Sequence, residues 1–193
     1  MNNLDLIFEK QPVLLTERMQ LVALKPEHVD PMFRMRSDPE VMRFIPRTLA
    51  KTHADVKALI QMIHERYQQQ QAIHWAMIQR TDQRMIGYIG LVNIDAENDH
   101  AEIGYILLPE FQKQGLMHEA MQAVIDFSFE QLCVHRLSAT VDPLNISSSK
   151  VLEKCGFKLE GHLREHEIFE GRYLDSLIHG LLNREYRSNR QEL

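Results

Sequence analysis

An apolar run, Ile103-Gly104-Tyr105-Ile106-Leu107-Leu108, is closed by Pro109, and the stretch Gln112-Lys113-Gln114-Gly115-Leu116-Met117-His118-Glu119 follows at once. Past Gly115 the period of the sequence changes: Met117, Met121, Val124, Ile125 and Ser128 recur at helical spacing. The order is therefore strand, short glycine-bearing loop, helix. A helix that begins there leaves its first backbone N–H groups without intrahelical acceptors, and they point into the loop as an anion site. Gly115 keeps a Cβ away from whatever approaches that backbone. A phosphate-bearing guest suits such a place. The stretch is not a Walker loop, which needs a second glycine followed by Lys-Ser/Thr, nor a dinucleotide fingerprint with three spaced glycines. Many helices start after a glycine loop and bind nothing, so on these residues alone both uses stay open.

A chain of 193 residues with 44% hydrophobic content fits one domain with a substantial core. Its apolar runs fall well short of the ~20 residues needed to span a bilayer. The opening Met1-Asn2-Asn3-Leu4-Asp5 lacks the basic-then-apolar order of a secretory leader. Cys133 and Cys155 make no disulfide framework and read as small core residues, so a reducing cytoplasm is the expectation. A net charge of -5 argues against a general nucleic-acid binder and is compatible with a basic or amine-bearing substrate. Neither nucleic acid nor membrane is expected as a partner, and monomer and homodimer are both open.

Residues 13–24 alternate loosely and suggest one first strand. Pro26 stands where the first turn of a helix tolerates proline, leading through Met32, Phe33 and Met35. Thr52 with Asp55 resembles a helix-start cap, followed by Val56, Leu59, Ile60, Ile63 and Tyr67 as one apolar face. Three strand-like runs, 73–79, 85–94 and 101–108, are separated by polar turn residues and predict an antiparallel meander. Beyond the loop and its helix, 135–141 reads as a strand and 145–155 as a helix ended by Gly156. Residues 157–175 read as two strands joined near Glu170-Gly171, and 177–182 as a last strand closing the sheet. Helices packed on a largely antiparallel sheet make a layered α/β (α+β) domain.

Several blocks resemble one family. Gln112-x-x-Gly115-x-Met117 is similar to the Gln/Arg-x-x-Gly-x-Gly/Ala pyrophosphate loop of the GNAT superfamily of N-acetyltransferases, with Met117 in place of the usual small residue. Thr16-Glu17-Arg18-Met19-x-Leu21, Ser37-Asp38-Pro39-Glu40-Val41-Met42, Asn145-x-x-Ser148, Val151-Leu152-Glu153-Lys154-Cys155-Gly156-Phe157 and Glu160-Gly161-x-Leu163-Arg164 resemble, in order, segments of the ribosomal-protein N-acetyltransferases that act on N-terminal alanine or serine. The likeness runs from about residue 13 to about residue 186. It implies one acetyltransferase domain over 1–193, with a GNAT-type mixed, mostly antiparallel sheet and helices on both faces. It also implies acetyl transfer from acetyl-CoA to a primary amine, with the N-terminus of a ribosomal or other protein as the leading acceptor. A small-molecule amine, or a non-catalytic CoA-binding sensor of the same fold, is the alternative.

The same resemblance assigns Gln112, Lys113, Gln114, Gly115, Leu116, Met117, His118 and Glu119 to the pyrophosphate cradle. It assigns Ile106, Leu107 and Leu108 to the strand whose backbone pairs with the pantetheine arm, where an N–H could polarise the thioester oxygen; as side chains these three read as core. Asn145 would bond the pantetheine. Ser148, Val151, Leu152 and Cys155 fall at i, i+3, i+4 and i+7, which puts Ser148 on a buried helix face. Its hydroxyl has two candidate uses: a helix-start cap beside Asn145 as N-cap, or, by resemblance, a proton donor to the leaving thiolate. Glu165 and Glu167 alternate with Leu163 and Phe169 on one strand face. A cross-strand pair with Arg164 or Arg172 is the plain use of such residues. The resemblance makes Glu167 the base that takes the amine's proton, with Glu102 as the competitor. His162 and His166 on a strand would lie ~13 Å apart along its axis, too far for one ion, and no metal is expected.

Overall fold

Residues 73–107 alternate with turns at the right intervals, and in the computed structural model they form the centre of an eight-stranded sheet. The structure describes residues 7–191, so the reading of Met1 to Asp5 lies outside the described residues. The strands are β1 (Leu14–Leu15), β2 (Met19–Ala23), β3 (Ile73–Gln79), β4 (Met85–Asp95), β5 (His100–Leu107), β6 (Arg136–Val141), β7 (Lys158–Phe169) and β8 (Arg172–Leu182). They lie in the order β1-β2-β3-β4-β5-β6-β8-β7. All neighbours are antiparallel except β5 and β6, which are parallel. The helices are α1 (Val29–Ser37), α2 (Pro39–Met42), α3 (His53–Gln68), α4 (Leu116–Glu130), α5 (Ile146–Lys154) and α6 (Asn183–Gln191), with a 3-10 turn at Pro26–His28 leading into α1.

The period of two in β5 explains why its run is apolar throughout. Ile103 and Leu107 face one core with α4 and α5, while Ile106 and Leu108 face another with α1 and α3. Helices thus cover both faces, as the resemblance implies. Trp75, fully buried on β3, locks the first core: its Nε1 donates to the Pro12 carbonyl at 2.8 Å and its ring meets Phe127 of α4 edge-on at 5.2 Å. The cap read at the start of α3 is present in both directions. Thr52 Oγ1 accepts from the Asp55 N–H at 3.3 Å, and the Asp55 carboxylate accepts from the Thr52 N–H at 2.8 Å.

Three expectations are corrected. The single strand over 13–24 is broken after Leu15, because Thr16 and Met19 close a turn: Thr16 Oγ1 accepts from the Met19 N–H at 3.0 Å. Residues 177–182 are not a separate closing strand. They are the second half of β8, which lies between β6 and β7, so β7 is the edge. Asp175 does not interrupt β8, since its carboxylate accepts from the Glu165 N–H of β7 at 2.9 Å. Cys133 is exposed rather than a core residue. It takes a left-handed φ of 59° in the turn from α4 to β6, and Leu132 and Val134 on either side are buried instead. Cys155 is buried as expected.

Candidate active site

The parallel pair β5–β6 is where the sheet opens. Its register covers only His100 with Arg136, Ala101 with Leu137 and Glu102 with Ser138, although β5 continues to Leu107 and β6 to Val141. On the other side of β5, β4 carries a bulge between Leu91 and Asn93, opposite Ile103 and Glu102. Bulges bend a strand and raise its local twist, and this one lies level with the point where β5 leaves β6. The cleft beyond is spanned at its start by Thr140 Oγ1, which donates to Glu102 Oε1 at 2.7 Å.

Ladder alternation decides which backbone groups of β5 face that cleft. The Leu108 N–H donates to the Ile86 carbonyl at 3.0 Å, so Leu108, and by alternation Ile106, spend their backbone groups on β4. Leu107 and Tyr105 then turn theirs towards the cleft. Gln112 Nε2 donates to the Leu107 carbonyl at 3.2 Å, which leaves the Leu107 N–H. Of Ile106, Leu107 and Leu108, one contributes backbone to the cleft; Ile106 and Leu108 are buried in the core beneath α1 and α3.

The loop after β5 is held open from behind. Lys113 and Gly115 take left-handed φ values of 59° and 78°, and Gly115 is the N-cap of α4 without any side-chain cap. Among the described residues, the amides of Lys113, Gln114, Gly115, Leu116, Met117 and His118 donate to no protein acceptor. The glutamines brace the loop: Gln114 Nε2 donates to the Glu110 carbonyl at 2.9 Å, as Gln112 does to Leu107. Arg18, from the β1–β2 turn, donates through Nη1 to the Gln114 carbonyl at 2.9 Å and through Nε to Glu119 Oε2 at 2.6 Å. Partial burial pushes the Glu119 carboxyl up, but hydrogen bonds from Thr16 and Arg18 and the Arg18 charge outweigh it and hold the group below the usual carboxylate range. Glu119 thus acts as a strut for the loop. Leu116 and Met117 point into the core, while Lys113 is exposed and His118 half-buried.

Across the cleft, the alternatives for Ser148 are not exclusive. Asn145 is the N-cap of α5, and its side chain accepts from the Ser148 N–H at 3.2 Å. That uses the Ser148 amide and leaves its hydroxyl. Ser148 Oγ lies 2.6 Å from Tyr105 Oη, and the residue is half-buried where Leu152, one turn on, is wholly buried. Burial pushes the Tyr105 hydroxyl up to about 12, against the bond from Ser148 and with a further upward push from Cys155. Tyr105 is the site residue that the motifs passed over. Its one signal is a tyrosine inside an otherwise apolar buried strand, where the hydroxyl needs a partner.

The β7–β8 hairpin departs from simple alternation. Leu163 pairs with Ser176 and Glu167 with Leu174, so Asp175 alone stands opposite residues 164–166. Glu165 sits in this bulge with φ 53°, and it does not continue one face with Glu167. Glu167 is half-buried and, among the described residues, makes no hydrogen bond or ion pair; the plain pairing with Arg164 or Arg172 is not formed. Leu177 of β8 is level with Val141, the end of β6, and Glu167 is level with Leu174. Glu167 therefore lies ~10 Å further along, at the end where the cleft opens, with β8 between it and β6. His162, just before the bulge, has Nε2 2.7 Å from Asp175 Oδ2, and His166 within it has Nδ1 3.2 Å from Ser176 Oγ. No group of three or more His, Cys, Asp or Glu among the described residues is placed to hold a metal ion.

An amide-lined loop and a capped, hydroxyl-bearing helix on either side of a parting parallel pair is a distinctive arrangement, and residues 18–158 match the acetyltransferase (GNAT) domain. The chain belongs to the GNAT acetyltransferases. It is 36% identical over 173 residues to the uncharacterised N-acetyltransferase p20 of Bacillus licheniformis, covering 90% of this chain and 97% of that one. It is 27% identical over 135 residues to the ribosomal protein uS5 alanine N-acetyltransferase of Escherichia coli, covering 69% and 70% of the two chains. In structure, RimL, the ribosomal L7/L12 α-N-protein acetyltransferase in complex with coenzyme A, superposes with a TM-score of 0.81 at 20% identity, over 89% of this chain and 98% of that one.

As a GNAT acetyltransferase the protein is an acyltransferase, and the fold, family and enzyme class read from its motifs hold. No helix among the described residues is long and apolar enough to cross a membrane. Glu102, Thr140, Tyr105, Ser148, Asn145 and the Leu107 N–H converge on the cleft between β5 and β6. The 112–119 loop opens beside it, and Glu167 stands at its far end.

Proposed function

We propose that this N-acetyltransferase moves the acetyl group of acetyl-CoA, its substrate, directly to the free N-terminal amine of a protein in the cytoplasm. The observation that carries the reading is the cleft between β5 and β6, flanked on one side by unpaired loop amides and on the other by a half-buried hydroxyl. The amides of residues 113–118 suit a pyrophosphate, with Lys113 as a point charge beside them. The strand edge from Tyr105 to Leu107 suits an extended amide-bearing arm, which Asn145 would also bond. The reaction then needs three things: a polarised thioester carbonyl, a neutral amine and a protonated leaving thiolate. The Leu107 N–H serves the first, Glu167 the second as base and Ser148 the third as acid. Glu102 is the less suitable base because its carboxylate already accepts from Thr140. A protein terminus is favoured because the Escherichia coli relative carries that activity in its name.

The test is release of coenzyme A from acetyl-CoA in the presence of peptides with free N-terminal Ala or Ser, set beside small amines. Ser148→Ala and Glu167→Gln should each lower turnover by about 10²–10⁴-fold, the usual contribution of a positioned acid or base, with acetyl-CoA affinity little changed. Full turnover in both variants would remove these roles. Tight acetyl-CoA binding without release across the panel would leave a sensor rather than a catalyst.

A further inference from the structure

Tyr105 and Ser148 are 43 positions apart in sequence, and their hydroxyl oxygens lie 2.6 Å from each other across the cleft. The Ser148 carbonyl is also near Tyr105 Oη, but at 3.4 Å it is the poorer acceptor. Asn145 has already taken the Ser148 N–H, which fixes the first turn of α5 and so the place of Ser148 Oγ. What packs round Tyr105 is sparse in charge. Ile89 is its neighbour on β4, Ser148 comes from α5, and the buried Cys155 from the cap that ends α5. Among the described residues, no carboxylate or cation is bonded to its hydroxyl.

A lone serine is a poor acid for a thiolate. The alkoxide it leaves is a far stronger base than the sulfur it has protonated, so the transfer runs uphill unless the serine regains a proton in the same step. Even pushed up to about 12 by burial, the Tyr105 phenol is a closer match to a thiol (~8.5) than any aliphatic hydroxyl is. We propose that Tyr105 is the source of that proton: it donates to Ser148 Oγ while Ser148 donates to the leaving sulfur. Tyr105 acts through Ser148 and is a positioning residue for it. In the step, the amine nitrogen bonds to the acetyl carbon and gives up a proton to Glu167, and the C–S bond breaks with its electron pair on sulfur. The Ser148 proton goes to that sulfur, the Tyr105 proton goes to Ser148, and the phenolate regains a proton from water once coenzyme A leaves. Burial of Tyr105 keeps it protonated, and therefore a donor, throughout the ordinary pH range. This inference rests on the reading that Ser148 faces the leaving sulfur.

The experiment uses the whole protein saturated with coenzyme A, so it needs no acceptor. The thiol of the bound coenzyme is titrated by its thiolate ultraviolet absorbance in wild type, Ser148→Ala, Tyr105→Phe, and a protein with difluorotyrosine at position 105. The last keeps the ring and hydroxyl and makes the hydroxyl more acidic, so it separates proton donation from bracing. A donor chain stabilises the thiolate. The bound thiol should titrate higher in Ser148→Ala and in Tyr105→Phe than in wild type, and lower with difluorotyrosine. Coenzyme affinity and melting temperature, measured alongside, confirm that each variant is folded and loaded. If Ser148→Ala shifts the thiol and neither change at Tyr105 does, the relay is wrong and Ser148 stands alone as acid. If Ser148→Ala leaves it unmoved, the assignment of Ser148 itself falls and the relay with it. Failure of the wild type to bind coenzyme A overturns both.

Discussion

Gly115→Ala tests the amide cradle by a route with a calculable size. Gly115 has φ 78°, a conformation that costs an L-residue about 1–2 kcal/mol. A Cβ built there meets only Arg18 Nη2 at 3.4 Å, an ordinary van der Waals contact with the end of a long side chain. Space is therefore not the obstacle; the backbone is. The variant has two responses. If the loop keeps its shape, the strain appears as lost stability, which for a chain of this size lowers the melting temperature by roughly 2–8 °C, and acetyl-CoA affinity is unchanged. If the loop relaxes, Gln114 and Glu119 shift from their bonds to Arg18, the amides turn from their line, and binding must restore them. Kd then rises by roughly 5–30-fold.

Both responses draw on the same strain, so their free energies should sum to about 1–2 kcal/mol, however they divide. Calorimetric titration with acetyl-CoA and thermal unfolding of the free protein, run on the same preparation, give the two parts. Gly115→Asn should give a smaller sum, because asparagine tolerates the left-handed region better than alanine. Unchanged affinity together with unchanged stability would refute the left-handed cap as a working part of the site. An affinity loss above about 100-fold at constant melting temperature exceeds the whole strain. It would refute the conformational account in favour of a direct clash with the ligand.

Gly90→Ala should act on stability alone: the added Cβ would fall on the Ile73 carbonyl oxygen and within 2.9 Å of His74 Cα, both backbone of β3, which cannot yield as a side chain end does. Overpacking of this kind costs about 1–3 kcal/mol, read as a lower melting temperature, and an unaltered melting curve would contradict the close approach of β3 and β4. Acid should weaken the fold through histidines. Burial first, and then the Arg66 charge, lowers His74 to about 4, its Nδ1 being buried without a hydrogen-bond partner among the described residues, and burial also lowers His28, His100 and His179. The unfolded chain takes up these protons near ~6.5 and the folded one later, so the stability is complete above ~6.5 and falls with pH until the folded groups protonate as well. For His74 the loss reaches at most about 3 kcal/mol near pH 4. Urea unfolding across this range should show a shallower fall in His74→Gln, and an identical fall would exclude His74 as a source.

What could be read from the chain, and what could not, divides by the range of the interaction. The switch from period two to helical spacing at Gly115 is local, so β5, the loop and α4 were legible, as were the α3 cap and the N-cap role of Asn145. The bulge in β4 and the one at Glu165 are hidden because counting alternate residues assumes an unbroken ladder; the one extra residue in β4 moves later side chains to the other face, and the two extra residues between Leu163 and Glu167 take Glu165 out of the ladder altogether. That is how Glu165 and Glu167 came to be placed together. Small apolar character predicts burial only where the backbone is regular, and Cys133 stands in a turn with positive φ. Tyr105 is hidden for a stronger reason. Its contact with Ser148 exists only because β5 and β6 run parallel, pair for three residues and part, bringing strand and helix together across the opening. The motif in each segment could be seen from its own residues. The pairing of the two hydroxyls is a property of the cleft, and the cleft is where the chemistry must take place.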